Sequence, residues 1–191
     1  MKILVIAAHP DDEVYGMGGT IAKLSAAGDE VHVLIVTDGC TAQYRKDPRL
    51  PQILAQKQEE ARRANALLGV KAVHFGTLPD MRLDTVPHVE VNQLIEETVD
   101  AVAPEVVYTH FYGDVNLDHQ MVYRSTLVAV RPVPGQNRGR TGYARRPGKQ
   151  GKRKTGGQSA FRLGNRMGDY SSAGSSLRGR LPRSTRTSDL L

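Results

Sequence analysis

The sequence has no tryptophan, only three phenylalanines and a single cysteine, Cys40. One cysteine can close no internal disulfide and build no cysteine zinc cluster, which excludes a disulfide-stapled scaffold. No apolar run approaches the roughly 18 residues that a membrane-spanning helix requires. The run Ile3–Ala8 is apolar but short, and it leads into His-Pro-Asp-Asp-Glu instead of a small-residue cleavage site. It reads as a buried strand and not as a secretion signal. A cytoplasmic protein with no membrane span is the expectation. A further absence is local, since no valine or isoleucine follows Val133.

The chain carries 26 Lys and Arg against 20 Asp and Glu, a net charge of +6 over 191 residues. That total divides unevenly. Residues 1–134 hold 12 basic and 18 acidic side chains, a net −6, whereas residues 135–191 hold 14 and 2, a net +12. All six histidines lie in the first 119 residues, and 11 of the 19 glycines follow residue 134. A Gly-, Ser- and Arg-rich stretch without β-branched aliphatics cannot bury enough apolar surface to offset its ordering entropy. Two regions are therefore expected, a folded domain over 1–134 and a basic tail over 135–191 without regular structure.

Within the first region short apolar runs alternate with helical patterns. Lys2–Ala8, Val31–Thr37, Val70–Phe75 and Glu105–His110 read as strands. Val14–Ala27, Gln52–Leu68, Val89–Val102 and His119–Val130 read as helices, with a polar loop over Asp38–Leu50. Strands apolar on both faces and alternating with helices predict a mostly parallel sheet covered on both sides, a three-layer α/β/α Rossmann-like fold. Ligands in such folds bind beyond the carboxyl ends of the strands. His9–Glu13, Asp38–Arg49, Gly76–Asp84 and Phe111–His119 should thus meet at one edge.

The first of these segments is His9-Pro10-Asp11-Asp12-Glu13, and the fourth brings Asp114, Asn116, Asp118 and His119. His9 and Asp12 are three apart, which puts both on one face of a starting helical turn. Two histidines and a carboxylate leave a fourth coordination position open, a catalytic and not a structural ligand pattern. An unligated carboxylate nearby, such as Asp11, is what a metal hydrolase needs to take a proton from water. Paired acids at a helix start also serve simply as dipole partners, and single loop histidines commonly pack. The same ligand types suit non-haem iron, so a different metalloenzyme stays open.

Ala8-His9-Pro10-Asp11-Asp12-Glu13, followed by Gly16, Gly18, Gly19 and Thr20, resembles the opening of the LmbE-like/PIG-L family of zinc-dependent sugar N-deacetylases. Gly113-Asp114-Val115-Asn116-Leu117-Asp118-His119 resembles the family's second signature, and the similarity runs from about residue 2 to about residue 134. The resemblance implies His9, Asp12 and His119 as ligands of Zn2+, with Asp11 as general base. It implies metal-bound water attacking the amide carbonyl of an N-acetylglucosamine-type sugar conjugate, with acetate leaving from a freed amine. Asp118 would orient its neighbour His119 or move protons. Asn116 stands where members often have a histidine, and it can donate a hydrogen bond but no proton. Lys57 stands where many members have an active-site arginine, and would contact substrate. The glycines do not form a G-x-G-x-x-G fingerprint and are expected to pack the first helix closely on the sheet.

Asp80 and Asp84 lie in the loop after the third strand, either as substrate contacts or as solvated acids. His110 is expected to support or pack beside the site, His32 and His74 to be structural, and His88 to start a helix. Cys40 either lines the cavity or packs. Arg145-Arg146 and Lys152-Arg153-Lys154 in the tail suit an electrostatic nucleic-acid arm, although only Tyr143, Phe161 and Tyr170 are available for stacking. The abrupt loss of Val, Ile, acids and periodicity near residue 135 is also what a shift of coding frame would produce. Pocket residues that family members supply beyond that point would then be missing, and activity would be impaired. The alternative to an enzyme is a truncated deacetylase-like core with a nucleic-acid-binding tail. A small amino-sugar conjugate is the expected partner, and a homo-oligomer is left open.

Overall fold

The structure is a computed structural model that describes residues 1–131 together with 141–142 and 158–163. Four parallel strands lie at its centre, β1 (Lys2–Ala7), β2 (Glu30–Thr37), β3 (Ala72–Leu78) and β4 (Val106–His110), in the order β3-β2-β1-β4. The helices α1 (Asp12–Ala26), α2 (Thr41–Tyr44), α3 (Leu50–Leu67), α4 (His88–Val102) and α5 (Leu117–Ala129) form the crossovers, with a 3-10 turn at Leu83–Thr85. The sheet continues past β4 with β6 (Gln158–Leu163), antiparallel to β4, and β5 (Thr141–Gly142), antiparallel to β6.

Alternation along the strands divides the core into two layers. Leu4, Ile6, Leu34, Val36 and Val107 face Val91, Ile95 and Val99 of α4 and Val122 and Ala129 of α5. Ile3, Val5, Val31, Val33 and Ile35 face Met17 and Ile21 of α1 and Ala61 of α3. Each of these side chains adds roughly 1.5–3 kcal/mol of burial if fully enclosed. The expected three-layer architecture with a mostly parallel sheet is therefore observed.

Several boundaries differ from the sequence reading. β3 continues to Leu78 beyond a register shift opposite Ile35 and Thr37. Gly76 permits this, because a Cβ there would collide with the Val36 carbonyl oxygen and the Leu94 side chain. The Asp38–Leu50 loop contains the single turn α2, whose backbone N–H groups at Cys40 and Thr41 donate to the Asp38 carboxylate. Gly18 and Gly19 of α1 are not close-packing residues. Gly18 leaves ordinary contact room to Leu68, and Gly19 has nothing within 4 Å of a Cβ position. Met17 and Ile21 carry the packing of that helix instead.

Composition predicted no regular structure after residue 134, yet eight residues there form β5 and β6. A ladder requires only backbone groups, and the outer edge of β4 offers a row of them. The rest of the tail lies outside the described residues, as do the expectations of a nucleic-acid arm and a shifted frame. Among the described residues no helix is long and apolar enough to cross a membrane.

Candidate metal centre

The strand order reverses at β1, whose neighbours β2 and β4 lead into crossovers on opposite faces of the sheet. The crevice outside the carboxyl ends of β1 and β4 is where an open α/β sheet has room for a ligand. His9 leaves β1 at this point and Asp12 opens α1, while Asp114 and Asn116 lie in the turn from β4 into α5 and Asp118 and His119 in the first turn of α5. Gly39, at φ +65°, folds the segment after β2 against Pro10, where a Cβ would collide with the proline ring. Asn116 caps α5, its side-chain oxygen accepting from the backbone N–H groups of Asp118 and His119. That cap sets the direction of the Asp118 and His119 side chains.

Three atoms meet in the crevice. Asp12 Oδ2 lies 3.3 Å from His9 Nδ1 and 3.2 Å from His119 Nε2, and the two nitrogens are 3.3 Å apart. A tetrahedral zinc with bonds of about 2.0–2.1 Å spans ligand pairs separated by roughly 3.3 Å. All three sides of the triangle match that edge. The three side chains retain 13%, 18% and 14% of their surface, so one side of the triangle stays open.

The outer ring nitrogens are already committed. His9 Nε2 lies 3.1 Å from Asp118 Oδ2 and 3.5 Å from Asp80 Oδ1, and His119 Nδ1 lies 3.0 Å from Asp114 Oδ2. An ionised carboxylate only accepts, so these ring nitrogens carry protons. The inner nitrogens and Asp12 then face one another, held together by further protons or by a cation. Burial works against a charged His9 ring, but the Asp118 and Asp12 carboxylates raise it to about 10. His119 is likewise raised against its burial, by Asp12 and Asp114. Burial disfavours an ionised Asp12, yet His119 and His9 hold its carboxyl well below the usual range. This donor set fits a divalent cation, and in its absence protons occupy the same positions.

The surrounding groups fall into distinct places. Asp11 is exposed at the start of α1, and burial around its carboxyl together with the Asp12 charge raises it. Asp118 is buried, and its second oxygen accepts from the Leu83 N–H at 3.0 Å. It touches His9, 109 residues away, and not the adjacent His119 ring. Asp80 is 7% exposed and turned toward His9, which leaves little of it for a substrate. Lys57 is exposed on α3 with Glu60 at 3.8 Å, and its charge acts on Asp11. Asp84 is exposed and outside this group, and His88 begins α4.

His110 ends β4 and stacks on His119 at 3.9 Å between centroids and 19° between planes. Its Nε2 accepts from the Ala8 N–H at 2.8 Å, while burial and the His119 charge push it down to about 4. It is a neutral ring fixing the His119 plane. Cys40 is buried and packs. Sequence reading missed the tie between α1 and α3, in which Asn65 donates to buried Glu13 at 2.7 Å. The one available signal was an asparagine on the apolar stripe of α3, four residues after Ala61.

A sequence profile of the PIG-L family, described as GlcNAc-PI de-N-acetylase, matches residues 4–130. The chain belongs to the PIG-L family. A PIG-L relative from Escherichia coli K12, the uncharacterized deacetylase YaiS, is 28% identical over 141 residues, covering 69% of each chain. The diacetylchitobiose deacetylase of Thermococcus kodakarensis is 38% identical over 82 residues, covering 43% of this chain and 31% of its own. Among solved structures, the N,N'-diacetylchitobiose deacetylase of Pyrococcus horikoshii superposes with a TM-score of 0.59 at 30% identity. That match covers 67% of this chain and 48% of the other, so the chain spans about half the length of that PIG-L enzyme. GalB, a 4-carboxy-2-hydroxymuconate hydratase from Pseudomonas putida KT2440, shares the architecture at 25% identity and a TM-score of 0.56, over 69% of this chain and 58% of its own.

Proposed function

We propose that this PIG-L chain is a metal-dependent N-deacetylase that hydrolyses the acetamide of an N-acetylglucosamine-type sugar conjugate. The observation that carries the reading is the triangle of His9 Nδ1, Asp12 Oδ2 and His119 Nε2, with sides of 3.2–3.3 Å and side chains that all keep part of their surface exposed. Relatives named for diacetylchitobiose, N-acetyl-α-D-glucosaminyl L-malate and 1D-myo-inositol 2-acetamido-2-deoxy-α-D-glucopyranoside have an acetamido sugar in common, which supports the substrate class.

Zinc held by His9, Asp12 and His119 would supply a Lewis acid that polarises the acetamide carbonyl and lowers the pKa of water. Asp11 is the base. Its carboxyl is raised toward the range of a working proton acceptor, and it stands next to a ligand without being turned into the triangle. The proton it takes from water passes to the departing nitrogen as the C–N bond breaks, giving acetate and a free amine. Asn116 spends its side-chain oxygen on the α5 cap and one amide N–H on Met81 Sδ at 3.7 Å, which leaves its second N–H to steady an oxygen of the substrate. Asp118 and Asp80 secure the His9 ring, and Lys57 is the assigned cationic contact for the sugar conjugate.

Acetate release from N,N'-diacetylchitobiose and related conjugates by the zinc-supplemented full chain tests this reading. Stoichiometric acetate and primary amine, released about 10²–10⁴-fold more slowly by Asp11→Asn, is the expected result. Zinc-loaded protein that releases neither from any acetamido sugar contradicts it. The likeness to GalB supports one second reading, metal-assisted hydration of an unsaturated acid. That reaction consumes water at a carbon–carbon double bond and yields no acetate or amine.

A further inference from the structure

Both histidines of the triangle have an outer nitrogen on a carboxylate, but the two carboxylates come from different places. His9 is held by Asp118, one residue before its fellow ligand. His119 is held by Asp114, five residues earlier in the turn out of β4, at 3.0 Å from Nδ1. We infer that Asp114 is a positioning residue for the metal centre, fixing His119 with its proton on Nδ1 so that the Nε2 lone pair faces the ion.

Asp114 is itself braced for this task. Its Oδ1 accepts from the Asn116 N–H at 3.0 Å, leaving Oδ2 for the histidine. Gln120 Nε2 donates to the Asp114 carbonyl oxygen at 2.6 Å, and the Asp114 N–H donates to the Phe111 carbonyl at 3.2 Å. The carboxylate is thus pinned at both ends of its own residue while the His110 ring stacks on the other side of His119. An imidazole fixed by a carboxylate on one nitrogen and a ring on its face has one tautomer and one direction available. Carboxylates in this position also raise the basicity of the ligating nitrogen, and their removal typically lowers metal affinity about 10–100-fold. The stretch Asp114–His119 therefore supplies one ligand, the support for that ligand, and the support for the ligand on β1.

The inference rests on the metal-centre reading above, and the test separates the two. Zinc affinity is measured by chelator competition on the full chain for wild type, Asp114→Ala, Asp114→Asn and His119→Ala, with thermal melting of each metal-free protein. Asp114→Ala should lose about 10–100-fold in zinc affinity. Asp114→Asn should recover part of that loss, because an amide oxygen still accepts from Nδ1–H but cannot also serve the Asn116 N–H. Cobalt-loaded Asp114→Ala should show an altered visible spectrum, which a loss of fold stability alone would not produce in the bound state. Asp114→Ala binding zinc within twofold of wild type, with His119→Ala unable to bind, overturns the role of Asp114 and leaves the centre standing. His119→Ala binding as well as wild type removes the centre, and the inference with it.

Discussion

His32 and His74 stack at 5.6 Å between centroids, with Nδ1 of one 3.3 Å from Nε2 of the other. His9 and His119 stand in nearly the same relation, 5.2 Å between centroids and again 3.3 Å from Nδ1 to Nε2. The first pair bridges β2 and β3, and the second joins the segment after β1 to the first turn of α5. The difference lies in the acids. Around His32 and His74 the acidic contact is the half-exposed Glu30, 2.9 Å from the outer nitrogen of His32. Burial and the neighbouring ring lower His74, which favours its uncharged form. Around His9 and His119 one carboxylate sits between the rings and others lie behind them, and His9 is raised to about 10 instead. Two facing imidazoles are a structural contact by default. Carboxylates on both sides give the His9–His119 pair, tilted by 43° where the other pair is stacked at 17°, the donors of a candidate cation site.

The largest expected effect separates the pairs directly. His119→Ala should abolish zinc binding and lower acetate release by at least about 10³-fold, as removal of a metal ligand does. His32→Ala should leave zinc content unchanged. Metal analysis of both dialysed proteins checks this. Next in size, Asp11→Asn should reduce acetate release by about 10²–10⁴-fold while zinc affinity holds. A parallel loss of zinc would instead make Asp11 a ligand.

Asp118→Asn should be milder, about 10–100-fold in zinc affinity by chelator competition. Asp118 accepts from both His9 and Leu83 on separate oxygens, and an amide retains only one acceptor.

The smallest effect belongs to the other pair. Because His74 is held below its ordinary value by burial, its contribution to stability is fully present above about pH 6.5 and is lost as the pH falls from there through the lowered value of the folded state. His74→Gln should therefore flatten the decline in melting temperature between about pH 7.5 and pH 5.5. An unchanged slope would show that the half-buried ring is not a source of acid sensitivity.

The strands and their crossovers were legible because each strand is apolar on both faces, and the convergence of His9, Asp11, Asp12, Asn116, Asp118 and His119 follows from the rule for strand ends. What the sequence could not show is which carboxylate serves which histidine. Adjacency pointed Asp118 at His119, but successive helical residues diverge by about 100°, and the Asp118 carboxylate reaches across to β1. The part played by Asp114 was not legible, because an Asx turn and a ligand support share the same residue type. Asp80 looked free for substrate because periodicity says nothing about the burial of a loop. The bend of Asn65 onto Glu13 depends on the relative rotation of α1 and α3, which no single helix records. The extension of β3 depended on the backbone of Val36, a strand away from Gly76.

The most direct test of the metal centre is the zinc content of the folded full chain, wild type against His119→Ala, after exhaustive dialysis. About one zinc per wild-type chain and none in the variant is the predicted result. Equal zinc in both proteins would contradict it.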